Sequence, residues 1–149
     1  MNTIDVTRLH DIDRAVLEDL QQLLLQLSLS AKPITAEALG AMIAASGTEL
    51  FVARQRGGQS KLLGMLTLVT FQILSGVRAW IEDVVVDQTA RRSGIGEALT
   101  GAAVARARAL GARTVDLTSR PSREAANRLY LKLGFERRDT NVYRFVIRP

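Results

Sequence analysis

Apolar positions along the chain fall into two periods. Ile12, Val16, Leu20, Leu23, Leu24 and Leu27 recur at helical spacing and mark an amphipathic first helix, opened by Asp11 and Asp13 at its positive end. A second helix is expected after Pro33, with Thr35 as N-cap and Gly47 as its end. The pattern then turns to strands at Glu49 to Arg54, Leu62 to Ile73 and Ala79 to Val86. The turns R-G-G-Q and S-G-V-R join them as a meander. From Ile95 the helical period returns through Leu99, Ala102, Ala103, Arg106 and Leu110, and Gly111 sits where a helix-ending residue belongs. A strand at Thr114 to Leu117 comes next. A helix at Arg123 to Leu133, closed by Gly134, follows, and strands near Phe135 and Val142 to Ile147 end the chain. The order predicts an α/β (α+β) fold in which the strands at 84 and 115 are parallel neighbours joined by a right-handed helical crossover. With 149 residues and no linker, repeat or low-complexity tract, the expectation is one domain over 1–149.

The most informative stretch is V-V-V-D-Q-T-A-R-R-S-G-I-G, Val84 to Gly96. Val84, Val85 and Val86 form a β-branched run of the kind buried on both faces of a sheet. Arg91, Arg92, Ser93, Gly94, Ile95 and Gly96 then lie at a helix N-terminus, where free N–H groups and the dipole favour an anion. Gly94 and Gly96 let the backbone approach it, and the two arginines add charge and bidentate donors. A nucleotide-triphosphate loop would require Lys and then Ser or Thr after the second glycine, but Glu97 and Ala98 follow Gly96. A dinucleotide loop would want glycine at position 99, where Leu99 stands, although Asp116 suits the distal acidic position.

Arg91-x-x-Gly94-x-Gly96 after a hydrophobic strand resembles the coenzyme A loop of the GCN5-related N-acetyltransferase superfamily. The second half of that signature is A-A-N-R-L-Y-L-K-L-G-F, Ala125 to Phe135. The resemblance covers Ala79 to Phe145, and the N-terminal half follows as a compatible order of elements. It implies a mixed, mostly antiparallel sheet of six to seven strands with four helices, its two central parallel strands splayed around coenzyme A. It also implies an acetyltransferase with acetyl-coenzyme A as cosubstrate and no metal. Cofactor-binding residues would be Val84, Val85 and Val86, the loop Arg91 to Gly96, Ser119, Asn127 and Tyr130.

Composition narrows the reading without carrying it. The absence of cysteine excludes disulfides, thiolate metal sites and a cysteine acyl-enzyme, so transfer must be direct or use another nucleophile. No apolar run approaches the roughly 20 residues of a membrane span, and the N-terminus lacks the pattern of a signal peptide, so a cytoplasmic protein is expected. The net charge of +5 is uneven: residues 87–149 hold thirteen Lys or Arg against six Asp or Glu, and residues 1–86 hold seven against nine. Basic charge thus sits on the half that carries the phosphate loop. Arg106, Arg108, Arg113 and Arg137 are expected to be solvated. Nucleic acid fits poorly as a partner, because five per cent aromatic residues offer little to stack bases on. A homodimer would be compatible.

Acetyl transfer to an amine needs a deprotonated amine, oxyanion stabilisation and a proton for the leaving thiolate. Tyr130 occupies the family's tyrosine position, and a phenol can protonate the thiolate of a thiol with a pKa of about 8.5. The oxyanion would meet backbone N–H groups at Val84 to Val86, freed where strands separate or bulge. Glu82 and Asp83, adjacent carboxylates on an apolar strand, are the candidate bases, with Glu82 favoured. On a regular strand they face opposite sides, so only a bulge would turn both to the amine. Arg123 stands where many family members have Asn, and Asn127 is the substitute on the same helix face as Tyr130. Ser122 reads as a helix cap, and His10, the only histidine, as a surface group. The acceptor expected is a small-molecule or peptide primary amine. Two other readings remain: a coenzyme A-binding regulatory module without chemistry, and a basic nucleic-acid-binding protein.

Overall fold

A computed structural model describes residues 3–57 and 61–149. Gly58 and Gln59 of the expected R-G-G-Q turn lie outside the described residues. The chain divides into two compact units, Met1–Thr118 and Ser119–Pro149.

The first unit holds a five-stranded sheet in the order β1 (Ile4–Arg8), β2 (Thr48–Gln55), β3 (Gly64–Ile73), β4 (Gly76–Val86), β5 (Ala112–Asp116). The first four strands pair antiparallel, and β5 is parallel to β4. Its helices are α1 (Arg14–Leu27), α2 (Ala36–Ala44) and α3 (Ile95–Ala109). β1 is not foreseen from the helical pattern that begins at Ile12. Its five residues, I-D-V-T-R, are a short half-buried edge strand with β2 as its ladder partner.

Local chemistry sets most helix ends. The Asp13 carboxylate accepts the Val16 N–H at 2.8 Å and starts α1; the Thr35 hydroxyl accepts the Ala38 N–H at 3.0 Å and starts α2. α2 stops at Ala44 rather than Gly47, because Gly47 serves the entry to β2. It sits at φ +86° with its carbonyl accepting the Thr70 N–H, and a Cβ there would lie 2.5 Å from the Thr70 carbonyl oxygen. The expected turn at Ser75 to Arg78 is likewise displaced. The chain reverses at Leu74 and Ser75, and Gly76, Val77 and Arg78 already belong to β4.

Both faces of the sheet are covered. Leu50 and Val52 join Val16, Leu20, Leu23 and Leu39 in one core beneath α1 and α2. Phe51 and Ala53 point the other way, and both are buried. Gly64, opposite Ala53, faces Ile95 and Leu99 of α3. Glu49 ties that face together by accepting from Arg8 of β1 at 2.9 Å and from Arg106 of α3 at 2.8 Å. Arg106 is therefore a structural anchor and not a solvated charge. Arg113 is also engaged, donating to the Ser75 carbonyl at 2.6 Å.

The second unit contains α4 (Glu124–Lys132). Its N-cap is Arg123, without a side-chain capping bond, and not Ser122. Gly134, at φ +95°, closes the helix: its N–H reaches the Leu131 carbonyl at 3.1 Å, and the Phe135 N–H reaches the Tyr130 carbonyl at 2.9 Å. This closure uses Phe135, whose ring packs on Tyr130 with centroids 5.7 Å apart, so no strand starts there. Residues 142–147, V-Y-R-F-V-I, are rich in strand-forming residues, yet Tyr143 and Phe145 are each 88% exposed. Strand propensity becomes a strand only where a ladder partner satisfies the backbone. The sheet accordingly has five strands among the described residues, not six to seven.

Candidate active site

β4 carries the first half of the site, and its irregularity is its main feature. Thr67 pairs with Glu82 and Met65 with Val85, so Asp83 and Val84 together face the single residue Leu66. This is a β-bulge, and Asp83 takes the left-handed conformation at φ 51° that bulges require and aspartate tolerates. The bulge breaks the strict alternation that would have set Glu82 and Asp83 on opposite faces. Both carboxylates are exposed, and the Trp80 indole N–H donates to Glu82 at 2.7 Å. Asp83 has its pKa raised, first by partial desolvation and then by the neighbouring Glu82 charge.

A second irregularity lies along the other edge of β4. Its parallel ladder with β5 ends at Trp80 paired with Asp116. From Ile81 to Val86 that edge has no strand partner among the described residues. Val85 is buried, while Val84 and Val86 are half-buried.

The chain then passes through a 3₁₀ turn, Gln88–Ala90, into the loop. Arg92 is left-handed at φ 66°, and Gly94 is left-handed at φ 84° as N-cap of α3. A Cβ at Gly94 would meet nothing within 4 Å, so backbone conformation, not space, selects glycine there. Glycine has no side chain to cap the helix, and the amides of Ile95 and Gly96 in the first turn lack intrahelical acceptors. Arg91, Arg92, Ser93 and Gly94 are exposed around these donors, and the Ser93 hydroxyl is bound to the Ala90 carbonyl. The arrangement can hold an anion.

In the second unit, Tyr130 is 7% exposed, and burial raises its hydroxyl pKa against a smaller opposing effect of Arg123. The phenol is a proton reservoir at neutral pH. Asn127 donates to the Arg120 carbonyl at 3.0 Å, fixing the turn that precedes α4. The Ser119 hydroxyl oxygen is buried and has no hydrogen-bond partner among the described residues. His10 is exposed, and no group of three metal-ligating side chains occurs among the described residues. No helix there is long and apolar enough to cross a membrane.

Sequence reasoning missed the residues that hold the loop. Asp87, 2% exposed, anchors the 3₁₀ turn from inside, and Gln26 of α1 reaches it across the fold. Asp-x-Thr at 87 to 89 carries a visible turn signature. Nothing in the sequence points to Gln26.

A bulged strand, a parallel ladder that stops at Trp80 and a helix terminus without a side-chain cap thus follow one another along β4 and into α3. Among solved structures, a transcriptional regulator from Bacillus halodurans C-125 is 26% identical, with a TM-score of 0.79 over 97% of this chain and 100% of that one. An aminoglycoside acetyltransferase from an uncultured soil metagenomic sample, solved with trehalose, shares the fold at 20% identity and a TM-score of 0.83, over 98% and 97% of the two chains. An aminoglycoside N-acetyltransferase solved with CoA does so at 17% identity and a TM-score of 0.77, over 98% and 96%. No curated protein matches the chain significantly. The pattern of the acetyltransferase (GNAT) family matches residues 17–135, and the chain belongs to that family.

Proposed function

We propose that this acetyltransferase moves an acetyl group from acetyl-coenzyme A to a primary amine by direct attack. The observation that carries the reading is the conjunction on β4 of the Asp83–Val84 bulge, the open edge from Ile81 to Val86 and the uncapped α3 terminus that follows. An extended pantetheine chain with two amides suits an unpaired strand edge, and a pyrophosphate suits the first-turn amides flanked by Arg91 and Arg92. In the second unit the orphaned Ser119 hydroxyl supports a polar ligand contact of its own, and Asn127 and Tyr130 carry the family motif.

Glu82 and Asp83 form the base. The raised pKa of Asp83 strengthens it as a proton acceptor and the Trp80 N–H holds Glu82, which supports Asp83, rather than the Glu82 favoured from sequence, for the proton and Glu82 for orientation of the cationic acceptor. The carboxylate takes one proton from the ammonium and passes it to solvent, and the freed nitrogen lone pair then bonds to the acetyl carbonyl carbon. N–H groups of the bulged segment stabilise the oxyanion. When the carbon–sulfur bond breaks, Tyr130 gives its proton to the thiolate, and the proton that the nitrogen loses as the neutral amide forms restores the phenol. The −2 balance of residues 1–86 suits a cationic amine, such as a polyamine, an amino sugar or a peptide N-terminus. Acetyl-coenzyme A turnover across such amines tests the proposal, and activity confined to anionic acceptors would refute the charge argument. Coenzyme A binding without turnover of any amine would instead identify a regulatory module.

A further inference from the structure

A carboxylate buried four residues before a phosphate-binding arginine is electrostatically unhelpful to an anion and costly to desolvate. Its presence calls for another role. Asp87 has one oxygen on the Thr89 N–H at 2.9 Å and the Thr89 hydroxyl at 2.5 Å. Its other oxygen takes the Gln26 side-chain amide at 3.2 Å and the Lys61 ammonium at 3.3 Å. The Asp87 N–H donates to the Leu63 carbonyl at 2.8 Å, and its carbonyl accepts the Ala90 N–H at 2.9 Å. Gln26 uses both ends of its amide, because its oxygen accepts the Gln88 N–H at 2.9 Å. α1 and the segment before β3 thus hold the turn whose next residue is Arg91.

The geometry points to Asp87 and Gln26 as positioning residues that hold the Arg91–Gly96 loop in its anion-binding conformation, so that they set affinity for the phosphate-bearing end of the cosubstrate. Neither touches the ligand. The left-handed Arg92 and Gly94 give the loop conformations that a free chain rarely populates together. Rigid attachment on its N-terminal side lowers the ordering cost that binding would otherwise carry. Lys61 offsets the Asp87 charge, which keeps it from repelling the phosphates, and the carboxyl is held well below its usual range by these donors.

The inference rests on the coenzyme A reading, and the test separates the two. Gln26 is exposed at the end of α1, so Gln26→Ala removes both loop contacts without opening the core. Calorimetric titration with coenzyme A and with adenosine 3′,5′-bisphosphate should show about a five- to tenfold loss of affinity for both ligands in Gln26→Ala, as expected for two hydrogen bonds. A larger loss is expected in Asp87→Asn. In turnover, KM for acetyl-coenzyme A should rise with kcat within twofold, while kcat/KM for S-acetylpantetheine, which lacks the phosphates, should stay within twofold of wild type. Unchanged affinity in Gln26→Ala, or an equal loss with S-acetylpantetheine, overturns the inference while leaving the coenzyme A reading intact. Wild-type protein that fails to bind coenzyme A overturns both.

Discussion

Gly64 is the position where a single methyl group tests how the site is built. It lies at the start of β3, paired with Val86 on one side and Ala53 on the other. A Cβ there would stand 2.8 Å from Ile95 Cγ2, 3.0 Å from Leu99 Cδ1 and 3.1 Å from the Val85 carbonyl oxygen. The carbonyl belongs to the ladder and has no freedom to retreat. Ile95 is β-branched and 1% exposed, so its rotamer is restricted as well. Relief must come from the first turn of α3 lifting off the sheet. Overpacking of this kind costs about 1–3 kcal/mol. The lower chain entropy of unfolded alanine returns about 0.4–1 kcal/mol, because Gly64 has no positive φ. At the midpoints of these two ranges Gly64→Ala destabilises by about 1.3 kcal/mol, with a fall in Tm of about 2–4 °C per kcal/mol at this size. The same movement shifts the Ile95 and Gly96 amides, so coenzyme A affinity should fall with it. Thermal melts and titrations of Gly64→Ala and of Gly64→Ala with Ile95→Ala check this, and the glycine replacement should cost less once Ile95 is truncated. An unchanged or higher Tm with native affinity would refute the packing argument.

Tyr130→Phe should lower kcat by about 10²–10⁴ while leaving coenzyme A affinity within a few-fold, read by initial rates and titration. Its hydroxyl pKa is raised above 10.0, so the alkaline limb of the wild-type rate profile should lie above that value. Asp83 has its pKa raised above 3.8, so the acid limb of kcat/KM should lie above the usual aspartate range and disappear with the residual activity of Asp83→Asn. The folded state holds that proton more tightly than the unfolded state, so the Asp83 contribution to stability declines as pH rises through the window above 3.8; urea melts of Asp83→Asn should lack this slope. Glu49 shows the opposite sign, since Arg106 and then Arg8 lower its pKa: its contribution is present above 4.5 and lost as pH falls through the lowered value. Glu49→Gln should cost about 1–3 kcal/mol at neutral pH, much less at acid pH, measured by the same melts.

The parts of the fold legible in sequence are those fixed by local chemistry. Asp13 and Thr35 cap the helices they were expected to open, and Ile95, Leu99 and Ala103 line the buried face of α3 as their spacing requires. What was not legible depends on partners distant in sequence. β1 is a strand because β2 supplies its ladder, while Val142 to Ile147 has the pattern and no ladder. Arg106 has the look of a solvated charge until Glu49, 57 positions away, is brought beside it. The bulge at Asp83 could be posed as a condition but not read, since it arises from the register between β3 and β4. Gln26 was invisible because its role exists only where α1 ends beside Asp87.

The most direct test of the account is incubation of the protein with acetyl-coenzyme A carrying a ¹³C-labelled acetyl group and a panel of cationic primary amines, read by mass spectrometry of the amine together with free-thiol release. The predicted result is at least one amine that gains the labelled acetyl group in one-to-one proportion to thiol, with the rate lost in Tyr130→Phe and Asp83→Asn while coenzyme A binding persists. Tight coenzyme A binding with no labelled amine and no thiol above background would contradict it.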